Sequence, residues 1–193
     1  MQIQQINYKN IYYPPGGILL LIIIFLELIT FGIALIAMVV YSKEEPTIFH
    51  ESRLLLNSTF GAINTIFLLT SGFFMAKMVE NFKTNEIKKS SMYLKLAMLG
   101  GILFLLLKTV EYVAKIEAGY TIGYNTFFSF YWMLTLFHVI HVLVGLVILG
   151  SVYVGINKKQ SNTKLEDVEA SATFWHMCDI IWLLLFPIIY LIF

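Results

Sequence analysis

The fold is decided by the stretch GGILLLIIIFLELITFGIALIAMVVY at residues 16–41. Apart from Glu27 and Thr30 it consists of apolar and small residues, and it contains no Lys or Arg. A helix needs about 20 mostly apolar residues to cross the hydrocarbon core of a bilayer. The apolar residues are continuous, as in LLLIIIF at 19–25, whereas a strand of a membrane barrel alternates apolar and polar residues. The stretch therefore predicts a transmembrane α-helix.

The composition of the whole chain agrees with a membrane location. Of the 193 residues, 59% are hydrophobic and 13% are charged, and a soluble domain has roughly 25% charged residues. The net charge of +1 provides no field that would attract nucleic acid. A single cysteine, Cys178, cannot form an internal disulfide. The composition thus excludes an ordinary soluble domain, a disordered chain, a nucleic-acid-binding protein and a secreted disulfide scaffold.

Four further apolar stretches follow the first, and charged connections separate them. Together the five stretches use most of the chain and leave no room for a soluble domain. We therefore expect one all-α integral membrane domain over residues 1–193, folded as a bundle of five transmembrane helices. The predicted spans are residues 16–41, 54–78, 93–113, 125–156 and 173–193.

The basic residues are distributed unevenly between the two sides of such a bundle. Cytoplasmic connections of membrane proteins carry an excess of Lys and Arg. The side with the excess contains the N-terminal tail and the connections after the second and fourth spans, so we expect the N-terminus in the cytoplasm and the C-terminus outside. The richer side holds Lys9, Lys77, Lys83, Lys88, Lys89, Lys95, Lys158, Lys159 and Lys164, and the other side holds Lys43, Arg53, Lys108 and Lys115.

Glu27 is the sharpest functional candidate, because an ionisable side chain inside a bilayer is costly. It follows the predicted start of the first span by about 11 residues, which places it roughly 16 Å into the membrane. No Lys or Arg on its own helix can pair with it, so we expect a neutral carboxyl. Two interpretations stay open: a carboxyl that exchanges protons, or a neutral acid that hydrogen-bonds to another helix.

His138 and His141 stand three residues apart on the fourth span and are expected to project from the same face. The two ligands of one haem approach from opposite sides, which neighbours on one helix cannot do. A transition-metal site needs several His, Cys or carboxylate ligands at one depth, and the remaining histidines, His50 and His176, lie in a loop and near the cytoplasmic edge. We expect interhelical hydrogen bonds or lipid-headgroup contacts, and no metal.

The fifth span begins with FWHMCD at residues 174–179. Its residues Trp175, Asp179 and Trp182 recur at helical spacing, which predicts one packed face with two tryptophan anchors and a carboxylate in it. His176 and Asp179 are three residues apart and can pair. Cys178 has no nearby cation in the sequence and is interpreted as an unreactive core thiol. We find no serine or cysteine nucleophile with a base and an orienting acid, so we predict no catalytic residue.

Lys108, Glu111 and Lys115 are spaced three and four residues apart near the outer end of the third span. Such residues can pair with one another and extend their charged ends to the headgroups. We expect an interfacial salt-bridged cluster, with binding of lipid phosphate as the functional alternative.

The second span carries a stripe of small and polar residues. Asn57, Gly61, Asn64 and Ser71 are separated by four, three and seven residues and therefore share one face. Stripes of this kind allow close packing of membrane helices. We expect this face to contact another helix.

Motifs on three of the predicted helices resemble subunit III of the haem-copper oxidases (cytochrome c oxidase) in its five-helix form. The resemblance runs from about residue 16 to the C-terminus. Glu27, in FLEL at 25–28, falls where the family carries an intramembrane glutamate. The motifs are LKTVEY at 107–112, FFSFY at 127–131 leading to FHVIHV at 137–142 with Gly145, and FWHMCDIIW at 174–182.

Within the family, the chain is most similar to the branch that accompanies bacterial nitric oxide reductase, the NorE-like accessory proteins. NTIFLLTSGF at 64–73 and LLFPIIY at 184–190 are similar to that branch, and Lys108 stands where oxidase subunits more often have Gln. Two residues depart from the family pattern. Leu136 replaces a common Gly, and Cys178 replaces an aliphatic residue.

The resemblance implies a non-catalytic subunit or accessory protein that sits beside a large haem-bearing catalytic subunit. The chain itself would bind no redox centre. Haem, with copper in an oxidase or non-haem iron in a nitric oxide reductase, would belong to the partner. Members of the family stabilise that partner and bind phospholipid, and in oxidases they support proton uptake. The resemblance also implies a multi-pass protein of a bacterial inner (plasma) membrane.

By the same resemblance, Glu27 is the buried carboxyl facing the partner or the lipid. Six polar residues would lie between helices or against lipid, and two tryptophans would anchor the packing. The alternatives are a haem-b membrane anchor that uses His138 or His141 and a small proton-coupled transporter centred on Glu27. The residues do not distinguish oxygen from nitric oxide as the substrate of the complex. The polar residues are Lys108, Glu111, His138, His141, His176 and Asp179, and the anchors are Trp175 and Trp182.

Overall fold

A computed structural model describes residues 17–158 and 163–193. The predictions made for Lys9, Gly16 and Lys159 fall outside these residues. Within the described ranges the chain is helical, with no strand, and five of its helices are long and apolar enough to cross a membrane. The expectation of an all-α bundle of five transmembrane helices is thereby confirmed.

The membrane helices are α1, α3, α4, α5 and α6, and a short helix α2 lies between the first two. The C-terminal end of α6 widens into a π-helical turn. The bounds are α1 Gly17–Glu44, α2 Pro46–Leu54, α3 Ser58–Lys83, α4 Ile87–Glu117, α5 Thr126–Asn157, α6 Leu165–Pro187 and the π-turn Ile188–Ile192.

Two of the differences from the spans that hydropathy predicts have a local cause. The segment after Pro46 forms α2 instead of a plain loop, because Pro is well suited to the first turn of a helix. The α6 helix begins at Leu165, eight residues before the predicted span. Its first turn is acidic, and Asp167 Oδ2 accepts from the backbone amide of Lys164 at 3.2 Å. Such a turn is stabilised by hydrogen bonds and the helix dipole and leaves no hydrophobic signal.

Helix α6 is the central element of the bundle. It contacts α1, α3 and α5, while α4 packs between α3 and α5. Trp175 enters the gap between α4 and α5 at two glycines, where a Cβ on Gly101 or Gly145 would lie only 2.6 or 2.8 Å from the indole ring. The small residues therefore create the space that the aromatic face of α6 fills.

Helix α1 lies at the margin of the bundle. It touches α5, α6 and α2, and most of its apolar side chains face outward. The short helix α2 covers one end of the bundle. It is held there by Phe49, whose ring packs edge-on against Phe127 and Phe193 at 5.5 and 5.2 Å. The bundle thus has a dense α3–α6 core, one helix on its side and a cap over one end.

Candidate functional site

Lys108 is an ionisable group enclosed in the interior of the α3–α6 core. Its side chain is 1% exposed, and that of Glu111 is 2% exposed. The Lys108 Nζ donates to Glu111 Oε2 at 3.0 Å and to the Tyr190 hydroxyl at 2.7 Å. We define Lys108, Glu111, Tyr131 and Tyr190 as the buried polar cluster.

Two tyrosines complete the hydrogen bonds of the Glu111 carboxylate. Tyr131 and Tyr190 both donate to Oε1, at 3.0 and 2.6 Å. The Tyr190 hydroxyl therefore accepts a hydrogen bond from Lys108 and donates one to Glu111. A buried ion pair is tolerated only when its remaining donors and acceptors are satisfied, and these phenols satisfy them.

Aromatic rings enclose the ammonium group of Lys108. Charged ammonium groups are attracted to the faces of aromatic rings within about 6 Å of the centroid. The Nζ lies 5.1 to 5.4 Å from four such centroids, which belong to Tyr112, Tyr131, Trp182 and Tyr190. Together with Glu111, these rings replace the hydration that the ammonium loses on burial.

The predicted interfacial position of this group is wrong for Lys108 and Glu111. They pair as expected, but they face the protein interior and do not extend to the headgroups. Tertiary packing is the reason, because α6 and its π-turn cover this face of α4 and supply Tyr190. Lys115 is half-buried near the end of α4 and donates to the carbonyl of Leu55.

Glu27 meets His141 from the adjacent helix α5. The Glu27 Oε2 lies 3.3 Å from the His141 Nε2, a close polar contact that lacks the alignment of a hydrogen bond. The side chains are 25% and 12% exposed. The other imidazole nitrogen, Nδ1, lies 2.7 Å from the carbonyl oxygen of Phe137. A carbonyl can only accept, so Nδ1 carries the proton and Nε2 is left to face the carboxyl.

His138 and His141 contact different helices, which corrects the prediction that they act from one face. Residues three apart on a helix are rotated by about 60° from each other. His141 turns toward α1, where it contacts Phe31 edge-on at 5.7 Å. His138 turns inward and stacks on Trp182 at 5.3 Å. Because His138 is fully buried, the predicted alternative of a lipid-headgroup contact is also wrong for this residue.

The paired residues of α6 lie where their spacing predicts. His176 Nδ1 and Asp179 Oδ2 are 3.3 Å apart, and the carboxylate lies against Gly72 of α3. Trp175 donates from Nε1 to Ser71 Oγ, and Trp182 donates to Thr65 Oγ1, both at 3.0 Å. The two tryptophans thus hydrogen-bond α6 to α3. Cys178 is buried and free.

The small and polar stripe of α3 packs against two helices. Gly61 lies under Phe186 of α6, and Ser71 donates to the carbonyl oxygen of Ala97 in α4 at 2.6 Å. Asn64 is fully buried. Asn57 differs from the others, because it is the N-cap of α3 and accepts from the Thr59 amide.

Sequence reasoning missed Tyr190 and Tyr131 as members of the buried polar cluster. Tyr190 lies in the motif at 184–190 and Tyr131 in the motif at 127–131. Neither motif indicates that the tyrosine hydroxyl pairs with the charges on α4. The available signal was the rule that a buried tyrosine hydroxyl needs a partner. Over residues 17–158 and 163–193, no group of three or more His, Cys, Asp and Glu residues could hold a metal ion.

The family model for cytochrome c oxidase subunit III matches residues 53–192. Among curated proteins, the chain is 33% identical over 132 residues to cytochrome c oxidase subunit 3 of Synechocystis sp., covering 67% of this chain and 55% of the relative. It is 34% identical over 129 residues to the Drosophila melanogaster protein of the same name, covering 66% and 48%.

Cytochrome bo(3) ubiquinol oxidase subunit 3 of Buchnera aphidicola is 28% identical over 130 residues, covering 67% of this chain and 63% of the relative. The chain thus spans between about half and two thirds of the length of these curated relatives. The matched region contains helices α3 to α6 and the whole buried polar cluster. The resemblance noted in the motifs is confirmed at the level of the family, and the chain belongs to the cytochrome c oxidase subunit III family.

Proposed function

We propose that the chain is a non-catalytic membrane subunit or accessory protein of a haem-copper oxidoreductase and stabilises its large haem-bearing subunit. The observation that carries the proposal is the family match over residues 53–192. Its relatives are named as third subunits of cytochrome c oxidase and of cytochrome bo(3) ubiquinol oxidase. A subunit III role is therefore the function that best fits this chain.

The geometry supports a structural role for most of the ionisable groups. Lys108, Glu111 and their tyrosines satisfy one another inside the bundle, and His176 pairs with Asp179. The hydrogen bonds of Tyr131 and Tyr190 join helices that are distant in sequence, and they form a rigid block against which a larger subunit can pack. In this proposal the redox centres, haem with copper or with non-haem iron, belong to the partner.

Three sequence features favour the nitric oxide reductase branch over an oxygen-reducing oxidase. They are the motifs at 64–73 and 184–190 and the lysine at position 108. Lys108 is the feature with a structural consequence, because it makes the centre of the cluster an ion pair. We propose a bacterial plasma membrane location with the N-terminus in the cytoplasm.

Glu27 supports a role in proton uptake or lipid contact. It combines a carboxyl at membrane depth with partial exposure and a histidine neighbour. That combination permits exchange of a proton with the surroundings, which the fully enclosed Glu111 does not permit. The exposed apolar surface of α1 around Glu27 suits either phospholipid chains or an apolar partner helix.

The decisive experiment is purification of the tagged full chain from native membrane in mild detergent with added lipid. Mass spectrometry, metal analysis and an absorption spectrum then identify what accompanies it. A haem protein with copper would indicate an oxidase, and one with non-haem iron would indicate a nitric oxide reductase. Recovery of the chain without any large haem protein, while a known third subunit treated in the same way retains its partner, would overturn the proposal.

A haem-b anchor built on His138 is less well supported, because its ring stacks on Trp182 and meets Phe104 edge-on at 5.5 Å. A Soret band in the isolated chain that disappears in His138→Phe would nevertheless establish that function.

A further inference from the structure

Two fully buried polar side chains lie at the centre of the bundle with unpaired hydrogen-bonding atoms. They are Asn64 on α3 and His138 on α5, each 0% exposed. Within the part of the chain that the structure describes, neither amide atom of Asn64 and neither ring nitrogen of His138 has a protein partner. Buried polar groups in folded proteins are almost always hydrogen-bonded, so these two side chains call for a partner.

The helix register places Asn64 opposite Phe104. Ser90 donates to the Met78 carbonyl, and Ser71 donates to the Ala97 carbonyl, which fixes how antiparallel α3 and α4 align. Asn64 lies seven residues before Ser71 on α3, and Phe104 lies seven residues after Ala97 on α4. Because the two helices are antiparallel, Asn64 and Phe104 are at the same level.

His138 reaches the same level from the other side of the core. Its ring meets Phe104 edge-on at 5.5 Å and stacks on Trp182 at 5.3 Å. The Trp182 indole in turn donates to Thr65, the residue next to Asn64. The His138 ring therefore contacts both Phe104, which lies at the level of Asn64, and Trp182, which donates to the residue next to Asn64.

We propose that Asn64 and His138 form a binding site for water within the α3–α6 core. An asparagine amide offers two donor hydrogens and an acceptor oxygen, and a neutral imidazole offers one donor and one acceptor. A buried water molecule typically makes about three hydrogen bonds to otherwise unsatisfied groups. Bridging water satisfies both side chains, whereas an apolar ligand would leave their atoms unpaired.

The site lies between the Lys108–Glu111 ion pair and the Glu27–His141 contact. His141 is one helical turn from His138 on α5. On the other side, Trp182 is shared by His138 and by the Lys108 ammonium, which lies 5.2 Å from the indole ring. Water at this site extends the row of buried polar groups from the buried polar cluster toward the Glu27–His141 contact.

Water-edited solid-state NMR of the full chain in lipid bilayers tests this site. With histidine and tryptophan labelled with 15N, magnetisation is transferred from water to the side chains, and His138→Phe identifies the His138 signal. We expect transfer to the His138 ring. The matched control is Trp175 Nε1, which is equally buried and donates to Ser71, and it should receive none.

Asn64→Leu tests whether the two side chains share the water. We expect loss of the transfer to His138 in this variant and no change at Trp175. Absence of transfer to His138 in the wild-type chain would overturn the proposal. Transfer that persists unchanged in Asn64→Leu would overturn the shared site.

Discussion

The Tyr190 side chain hydrogen-bonds to both members of the buried ion pair. Its hydroxyl accepts from Lys108 and donates to Glu111, while its backbone carbonyl accepts from Ser58 Oγ at 3.3 Å. The π-turn at 188–192 carries this residue. Single-turn π segments are frequent at functional positions, where they re-aim a side chain. The turn thus connects the end of the chain to the buried polar cluster.

Removal of Glu111 should be more damaging than removal of the whole ion pair. We expect Glu111→Leu to lower the free energy of unfolding by about 3–5 kcal/mol, because it leaves the Lys108 ammonium buried without its counter-charge. The double variant Lys108→Met with Glu111→Leu should recover much of this loss. Reversible unfolding of the full chain in lipid–detergent micelles measures both.

The matched control is the exposed pair of Lys77 and Glu80, which has the same three-residue spacing and side chains 41% and 63% exposed. Glu80→Leu should change the free energy of unfolding far less than Glu111→Leu, because water and salt screen an exposed pair. Equal effects of Glu80→Leu and Glu111→Leu would contradict the assignment of Lys108 and Glu111 to the interior.

Glu27 should react with an apolar carbodiimide from the lipid phase, because it is a partly exposed acid at membrane depth. Glu111 should stay unlabelled, since its carboxylate is enclosed and bonded to two tyrosines and a lysine. Peptide mass spectrometry after labelling in native membranes distinguishes the two sites. Glu27→Gln removes the reactive group and serves as the control, and labelling of Glu111 in preference to Glu27 would contradict the prediction.

At the scale of the elements, the position of α6 depends on the two glycines that flank Trp175. A Cβ at position 145 would lie 2.8 Å from Cε3 of the indole ring. The ring cannot move away, because its Nε1 donates to Ser71 and its far edge lies against Gly101. The packing of α4, α5 and α6 is therefore fixed by close approach at these positions.

Gly145→Ala should consequently destabilise the bundle by about 1–3 kcal/mol, the usual cost of forcing extra carbon into a packed core. Gly150→Ala, on the same helix, is the control, because the nearest atom to its added Cβ would be the Met98 Cε at 3.9 Å. Its effect should be neutral or favourable, since Ala is preferred to Gly inside a helix by about 0.5–1 kcal/mol. Thermal unfolding of the two variants in the same lipid measures the difference. Equal stability of the two variants would contradict the close packing of Trp175 against Gly145.

At the scale of the whole molecule, the loops at the two ends of α4 should react on opposite sides of the membrane. Thr84 and Thr121 are exposed in these loops, and Cys178 is buried. In a Cys178→Ala background, we expect a membrane-impermeant maleimide to label Thr121→Cys in intact cells and to label Thr84→Cys only after the membrane is opened. The reverse pattern would place the N-terminus outside.

The molecule as a whole combines an outer surface that suits lipid with a polar interior. Apolar side chains of α1, α4 and α5 face outward, while Lys108, Glu111, Asn64 and His138 are enclosed. Lipid provides no partners for polar atoms, so a bundle of this kind must satisfy them internally. Contacts between helices do so for Lys108 and Glu111, whereas Asn64 and His138 have no protein partner among the described residues and are the groups for which we propose bound water.

The sequence alone was sufficient to predict five apolar spans and an all-helical membrane fold. Hydropathy along the chain is a local property, and a bilayer selects continuous apolar segments of one length. The motifs also led to the correct family, because they are read in order along the chain. Pairing within one turn was likewise accessible, as for His176 with Asp179 and Lys108 with Glu111.

Only the tertiary structure decided which helix each polar side chain faces. The Lys108 ammonium and the Tyr190 hydroxyl are 82 residues apart in sequence, and Glu27 meets a histidine from a different helix. Helical periodicity gives the direction of a side chain relative to its own axis, but the neighbour on that side depends on how the helices pack. For that reason Lys108 was expected at the membrane surface and lies in the interior, where α6 covers it.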